Sequence, residues 1–211
     1  MKKNNSNGIC FIFSGPSGVG KSSLLQNFIT KNILKNIFLS VSYTTRLKRN
    51  MEINNVHYNF VSENIFKNMI KKEKFLEYAK VFNNYYGTSL YEINKNINLG
   101  LDIFLDIDYK GACQIKKKIR FSTSIFVIPP SKNELIRRLK FRNQDNKKII
   151  YNRMKSFDTE IKYYKNYDYL IINDNFENTL KNIKSIVIAE RLKVFYNKKK
   201  YFDLIKNFIK K

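Results

Sequence analysis

Apolar positions along the chain keep two different rhythms. Near-continuous runs at 9–13, 37–43, 101–107, 123–128 and 167–172 read as strands buried on both faces. Between them the apolar residues recur at helical spacing. In 23–31 the set Leu24, Leu25, Phe28 and Ile29 forms one face, and comparable segments follow at 88–99, 111–119, from Ser131 onward, around Arg153, and at 176–195. Strands that alternate with helices specify an α/β fold with a mostly parallel sheet covered by helices on both sides. Residues 52–91 break this rhythm: short strand-like pieces at 57–61, a short helix at 63–71 and the segment 75–88 predict a small lobe inserted in the sheet. Thr88 is expected to cap the following helix and Gly100 to stop it. Ser131 with Glu134 reads as a capping box after Pro129-Pro130. The lysine-rich connection at 141–148 suits a mobile helical lid, and 196–211 reads as a basic amphipathic tail.

Composition narrows the picture without redirecting it. A chain of 211 residues, 43 % of them hydrophobic, is long enough for one folding unit with a substantial core. No apolar run is long enough to span a bilayer, and residues 1–8 lack the apolar segment of a secretory signal, so no membrane association and a cytoplasmic location are expected. The two cysteines, Cys10 and Cys113, have neither metal-ligand spacing nor the pattern of a disulfide framework. A formal charge of +23 raises nucleic acid as a partner. The lysines, however, are scattered through every segment, and no aromatic-basic stacking platform accompanies them, so no specific nucleic-acid partner is expected. The charge is read instead as steering for anionic nucleotides. A homo-oligomer is left open.

The chemistry begins at Gly15-Pro16-Ser17-Gly18-Val19-Gly20-Lys21-Ser22, a G-x-x-x-x-G-K-S loop between the first strand and the first helix. Glycines there allow backbone N–H groups to close on phosphate oxygens, Lys21 reaches the β- and γ-phosphates, and the Ser22 hydroxyl is offered to Mg²⁺. Such a loop implies ATP or a similar polyphosphate and says nothing of the acceptor.

Further motifs make the chain resemble the guanylate kinase family of nucleoside monophosphate kinases. They are Val41-Ser42-Tyr43-Thr44-Thr45-Arg46, Phe75-Leu76-Glu77, Asn84-Tyr85-Tyr86-Gly87-Thr88, Leu105-Asp106-Ile107-Asp108 with Gly111, Pro129-Pro130-Ser131, and Ile171-Ile172-Asn173-Asp174. The resemblance covers residues 8 to about 191. It implies a core at 8–41 and 101–191, a GMP-binding lobe at about 42–92, a lid at about 137–155, and a tail at 192–211. It further implies transfer of a phosphoryl group from ATP, with Mg²⁺, to GMP or dGMP. Arg46, Arg49, Tyr58 and Tyr86 would hold the phosphate of GMP. Glu77 and Asp108 would accept from the N1 and N2 hydrogens of guanine, and Ser42 and Thr88 would supply hydroxyls. Asp106 would support the metal with Ser22. Asn173 would contact ATP, and Arg138, Arg142 and Arg153 would close over the triphosphate. The acceptor oxygen is already ionised at neutral pH, so the lone His57 is not needed as a base.

The chain departs from the family pattern where glycine or proline is usual. Asn50-Met51 and Asn54-Asn55 occupy one turn region, where Asn tolerates positive φ. Phe141 and Asn143 flank Arg142 in the lid, which puts lid mobility in question. Two other readings stand beside the leading one: a noncatalytic peptide-binding module of the same fold, and a kinase for another monophosphate.

Overall fold

The computed structural model describes residues 8–141 and 147–209. In chain order β1 (Cys10–Ser14), α1 (Lys21–Thr30) and β2 (Ile37–Leu39) precede β3 (Tyr43–Thr44), β4 (Asn59–Phe60), α2 (Glu63–Lys71), β5 (Phe75–Val81) and β6 (Asn84–Ser89). Then come α3 (Leu90–Asn98), β7 (Asp102–Asp106), α4 (Tyr109–Lys118), β8 (Ser122–Ile128) and α5 (Lys132–Phe141). The chain closes with α6 (Lys147–Glu160), β9 (Tyr169–Ile172), α7 (Phe176–Leu192) and α8 (Val194–Ile209).

Five strands make a parallel sheet in the order β2-β7-β1-β8-β9. Its continuous apolar runs follow from burial on both faces. Phe11 and Phe13 pack on one side with Leu24, Phe28, Leu135 and Ile183, while Cys10 and Ile12 pack on the other with Ile93, Ala112 and Ile115. Phe104 anchors the first layer, its ring centroid 4.8 Å from Phe13 and 5.5 Å from Phe28. The acid at the head of β7 is structural: Asp102, 5 % exposed, accepts from the Ile9 N–H and from Arg191 Nε, tying α7 to the sheet.

The expected second strand at 37–43 is in fact two. The chain leaves the central sheet after Leu39, where the Ser40 N–H reaches Phe104 O at 2.9 Å. Tyr43 and Thr44 then pair with β6 and β4 in a second, four-stranded sheet ordered β4-β3-β6-β5. Asn55, in the region where a glycine was missed, adopts φ 63°.

Three end signals come out differently. Ser89, not Thr88, caps α3, accepting from the Glu92 N–H at 3.3 Å. Thr88 is still in strand register opposite Glu77, so its side chain points across the sheet instead. Ser131 accepts from the Glu134 N–H at 3.1 Å, but the Glu134 carboxylate pairs with Arg137 and Arg138, so only half a capping box forms. The helix expected at 176–195 breaks at Lys193, whose ψ of 131° is not helical. Lys193 pairs there with Glu190, and the buried Glu190 carboxylate also accepts from Thr123 and Tyr169, pinning the end of α7 to the sheet. Beyond the break α8 presents exposed Phe202, Leu204 and Phe208. Among the described residues no helix is long and apolar enough to cross a membrane.

Candidate active site

The loop after β1 is shaped by close approach. Gly15 has φ 141°, and a Cβ there would lie 2.1 Å from Val127 O, so only glycine lets β1 turn away beside β8. Lys21 opens α1 and folds back to Gly15 O at 2.7 Å. Lys21 and Ser22 thus line the hollow beside the loop glycines at the start of α1, where the unpaired N–H groups of a first helical turn suit an anion. Ser22 Oγ donates to Asp106 Oδ2 at 2.5 Å, across from the end of β7, because β7 runs beside β1 with Asp106 in register with Phe13.

Across the hollow stands the second sheet. Strand alternation turns Glu77, Ala79 and Val81 of β5 to one side and leaves Tyr78 exposed on the other. A single cleft of about 190 Å³ is lined by Gly15, Ser17, Gly18, Gly20, Lys21 and Ser22 on the loop side. Ser42, Arg46, Arg49, Tyr58, Tyr86, Glu77, Asp106, Asp108 and Arg153 line the rest of it.

Burial dominates the electrostatics of the acidic wall. Glu77 is 3 % exposed, and burial pushes its carboxyl up to about 7 against the pull of the Thr88 hydroxyl, which donates at 2.6 Å. Neighbouring Asp108 adds to the rise, and burial raises Asp108 as well. Asp108 also caps α4, accepting from the Gly111 N–H at 2.8 Å. Gly111 leaves room for the acid beside it, since a Cβ there would approach Glu77 Oε2 to 2.5 Å.

The basic wall is held from behind. Arg46 makes a two-point ion pair with Glu52 at 2.6 and 3.0 Å, and its guanidinium lies 5.4 Å from the centre of the Tyr58 ring. Burial pushes Glu52 up, but hydrogen bonds from Arg46 and from the Arg49 N–H hold it below the usual carboxylate range. Tyr58 packs edge-on against Tyr86 at 5.9 Å, and burial raises its phenol far above its ordinary value.

Several expected site residues stand outside the cleft lining. Val19 is fully buried, and its carbonyl accepts from Asn173 Nδ2 at 2.7 Å. Asn173 is itself buried, with its carbonyl held by Arg138 at 2.9 Å, so Asn173 and Arg138 brace the back of the loop. Arg138 Nε is taken by Glu134. Thr88 sits behind Glu77, and Pro16 is not among the lining residues. Arg142 lies outside the described residues. The cleft also includes residues that pattern reading overlooked: Ala79, Val81, Phe82, Ile107 and Glu160. Glu160 had a signal, since it lies seven residues after Arg153, two turns along the same helix. The apolar residues had none beyond the period-2 continuation from Glu77.

Among the described residues no cluster of three or more His, Cys, Asp or Glu forms a self-sufficient metal site. Ser22 and Asp106 offer one hydroxyl and one carboxylate side by side.

Comparison with known proteins identifies the family. The family model described as guanylate kinase matches residues 8–190. The chain is 50 % identical over 205 residues to a guanylate kinase of Buchnera aphidicola subsp. Schizaphis graminum, covering 97 % of this chain and 99 % of that one. It is 48 % identical over 207 residues to a guanylate kinase of Haemophilus influenzae, covering 98 % and 100 % of the two. A crystal structure of guanylate kinase from Anaplasma phagocytophilum superposes with a TM-score of 0.75 at 33 % identity, over 90 % of each chain.

Proposed function

The chain belongs to the guanylate kinase family, and we propose that it transfers the γ-phosphoryl group of ATP to GMP, and to dGMP, giving ADP and GDP or dGDP. The observation that carries this reading is the sharing of one cleft by the phosphate-binding loop and by two acids, the buried Glu77 and the half-buried Asp108. The first is a donor site and the second an acceptor site, and only a two-nucleotide transfer needs both within reach.

On the donor side the loop N–H groups and Lys21 hold the triphosphate, with Gly15, Ser17, Gly18 and Gly20 bringing the backbone close. Asn173 and Arg138 keep the loop in shape through the Val19 carbonyl and each other. Arg153, and Arg142 by family pattern, supply charge against the transferring group. A hydroxyl and a single carboxylate suit Mg²⁺, which keeps several waters and takes further ligands from substrate phosphates. Ser22 and Asp106 would hold it, and it would neutralise charge between the β- and γ-phosphates.

On the acceptor side Arg46, Arg49, Tyr58 and Tyr86 take the phosphate of GMP: the guanidinium forks match its oxygens and the phenols donate without adding charge. Glu77 and Asp108 accept from guanine N1–H and N2–H. The hydrogen of Thr88 is already given to Glu77, so the base O6 falls to Ser42 and Thr88 acts by orienting the carboxylate. Adenine would set an N1 lone pair against an ionised acid, which a site of this kind rejects by up to about 10⁴. The reaction is in-line displacement: an ionised phosphate oxygen of GMP bonds to the γ-phosphorus as the bond to the ADP oxygen breaks, and positioning with charge neutralisation lowers the barrier.

Residues 8–41 and 101–191 serve as core, about 42–92 as acceptor lobe and about 137–155 as lid. Incubation with ATP, Mg²⁺ and GMP is expected to yield ADP and GDP in equal amounts, and Lys21→Ala to stop both while the fold persists. Unchanged turnover in that variant contradicts the assignment of the loop.

A further inference from the structure

Guanine read along its edge by Glu77 and Asp108 still has two apolar faces to cover. The wall beside these acids continues down β5 through Ala79 and Val81, and then into the hairpin turn that joins β5 to β6. That turn is two residues long, Phe82 and Asn83, with φ of 45° and 66°. Two successive left-handed residues match the twist of a tight hairpin, and Gly or Asn is the usual occupant of both places. Asn83 fits the rule. Phe82 breaks it, since a large side chain disfavours this backbone, and local strain of that kind is a pointer to function when the side chain also has somewhere to act.

Phe82 has such a place. It lines the nucleotide cleft together with Glu77, Asp108 and Glu160. It also lines a second crevice, between the hairpin and α6, whose far side is Asn152, Ser156 and Thr159. Ala79 and Ile107, on the same wall, are each only 8 % exposed, whereas Phe82 remains 48 % exposed. Half of the residue is thus open to solvent where the cleft and the crevice adjoin, and Asp108 lines both of them as well. Helix α6 carries both Arg153 and Glu160 into the cleft, and the crevice at Phe82 lies against the same helix.

We propose that Phe82 covers the base in the acceptor site: its ring packs on the face of guanine and seals the seam between the hairpin and α6 while both nucleotides are bound. This rests on the guanylate kinase reading of the cleft. The unusual turn residue is then explained, because the chain keeps an aromatic side chain where a glycine would be more comfortable.

The test uses the full chain, with GMP varied at saturating ATP and ATP varied at saturating GMP. It compares the natural protein, Phe82→Gly and Phe82→Tyr, with a melting curve for each. In Phe82→Gly the KM for GMP is expected to rise about tenfold, as loss of base–aromatic stacking does. The KM for ATP stays unchanged and the melting temperature stays equal or rises, because glycine suits the turn. Phe82→Tyr restores the KM for GMP. An unchanged KM for GMP in Phe82→Gly overturns the role of Phe82 alone, with the kinase reading intact. A parallel rise in both KM values with a lower melting temperature overturns it too, by showing that the ring serves only to hold the hairpin. A natural protein that forms no GDP overturns the kinase reading and the proposal with it.

Discussion

Thr88 Oγ1 donates a 2.6 Å hydrogen bond to Glu77 Oε1, joining opposed residues of β6 and β5 inside a wall that leaves the acid 3 % exposed. One neutral donor does not offset the desolvation of a carboxylate, and the carboxyl is raised to about 7 for that reason. A carboxyl so placed favours N–H donors, which guanine carries under the proposed reading of the cleft.

Glu77→Gln should separate recognition from folding. The KM for GMP is expected to rise by about 10² or more, because the amide presents a donor toward the N1 and N2 hydrogens, while the KM for ATP holds. At neutral pH the ligand-free variant should melt at a higher temperature, since a buried ionisable acid has been removed. Steady-state kinetics with each substrate and a thermal melt check both halves.

The pH dependence follows from the same group. A carboxyl raised from 4.5 to about 7 in the fold contributes stability that is fully present below about 4.5 and lost as pH climbs through about 7, at most about 3 kcal/mol. Ligand-free stability should therefore decline over that window, and the decline should be weaker in Glu77→Gln. GMP reverses the preference, since its N–H groups favour the ionised acid. Calorimetric titration in buffers of different ionisation enthalpy should show proton release on GMP binding near pH 6, in excess of that seen with the variant.

Gly111→Ala adds a Cβ that would stand 2.5 Å from Glu77 Oε2. The expected result is a clear loss of GMP affinity with little change for ATP. Separate KM measurements, or direct titration with each nucleotide, distinguish this from general destabilisation, which would weaken both.

Glu52 holds Arg46 in place with two hydrogen bonds and accepts a third from the Arg49 N–H. Glu52→Ala frees the guanidinium from this geometry, and removing one partner of a half-buried pair costs stability as well. A higher KM for GMP and a lower melting temperature are expected together, in contrast to the split effects at Glu77.

Local features were legible in the sequence, and relations between segments were less so. The loop at 15–22 could be read because its strand, glycines, lysine and helix are contiguous. The parallel sheet was legible from runs buried on both faces, such as Phe11 and Phe13 against Cys10 and Ile12. Orientation was not: nothing in the spacing of Arg138 or Asn173 tells that both turn to the back of the loop and meet at the Val19 carbonyl. Thr88 and Ser89 are both good caps, and the choice between them depends on how far β6 runs in register with β5. The break at Lys193 is hidden because apolar spacing continues on both sides of it. Phe82 escaped notice because a phenylalanine at a hairpin tip reads as the end of a strand, and only its φ of 45° marks it.

Guanine selectivity is measured most directly by ADP formation from ATP and Mg²⁺ with GMP, dGMP, AMP, UMP and dTMP supplied one at a time. Rapid turnover is expected with GMP and dGMP, with kcat/KM for AMP lower by about 10³ or more. Comparable turnover of AMP, or no turnover of GMP, contradicts an acceptor site built on Glu77 and Asp108.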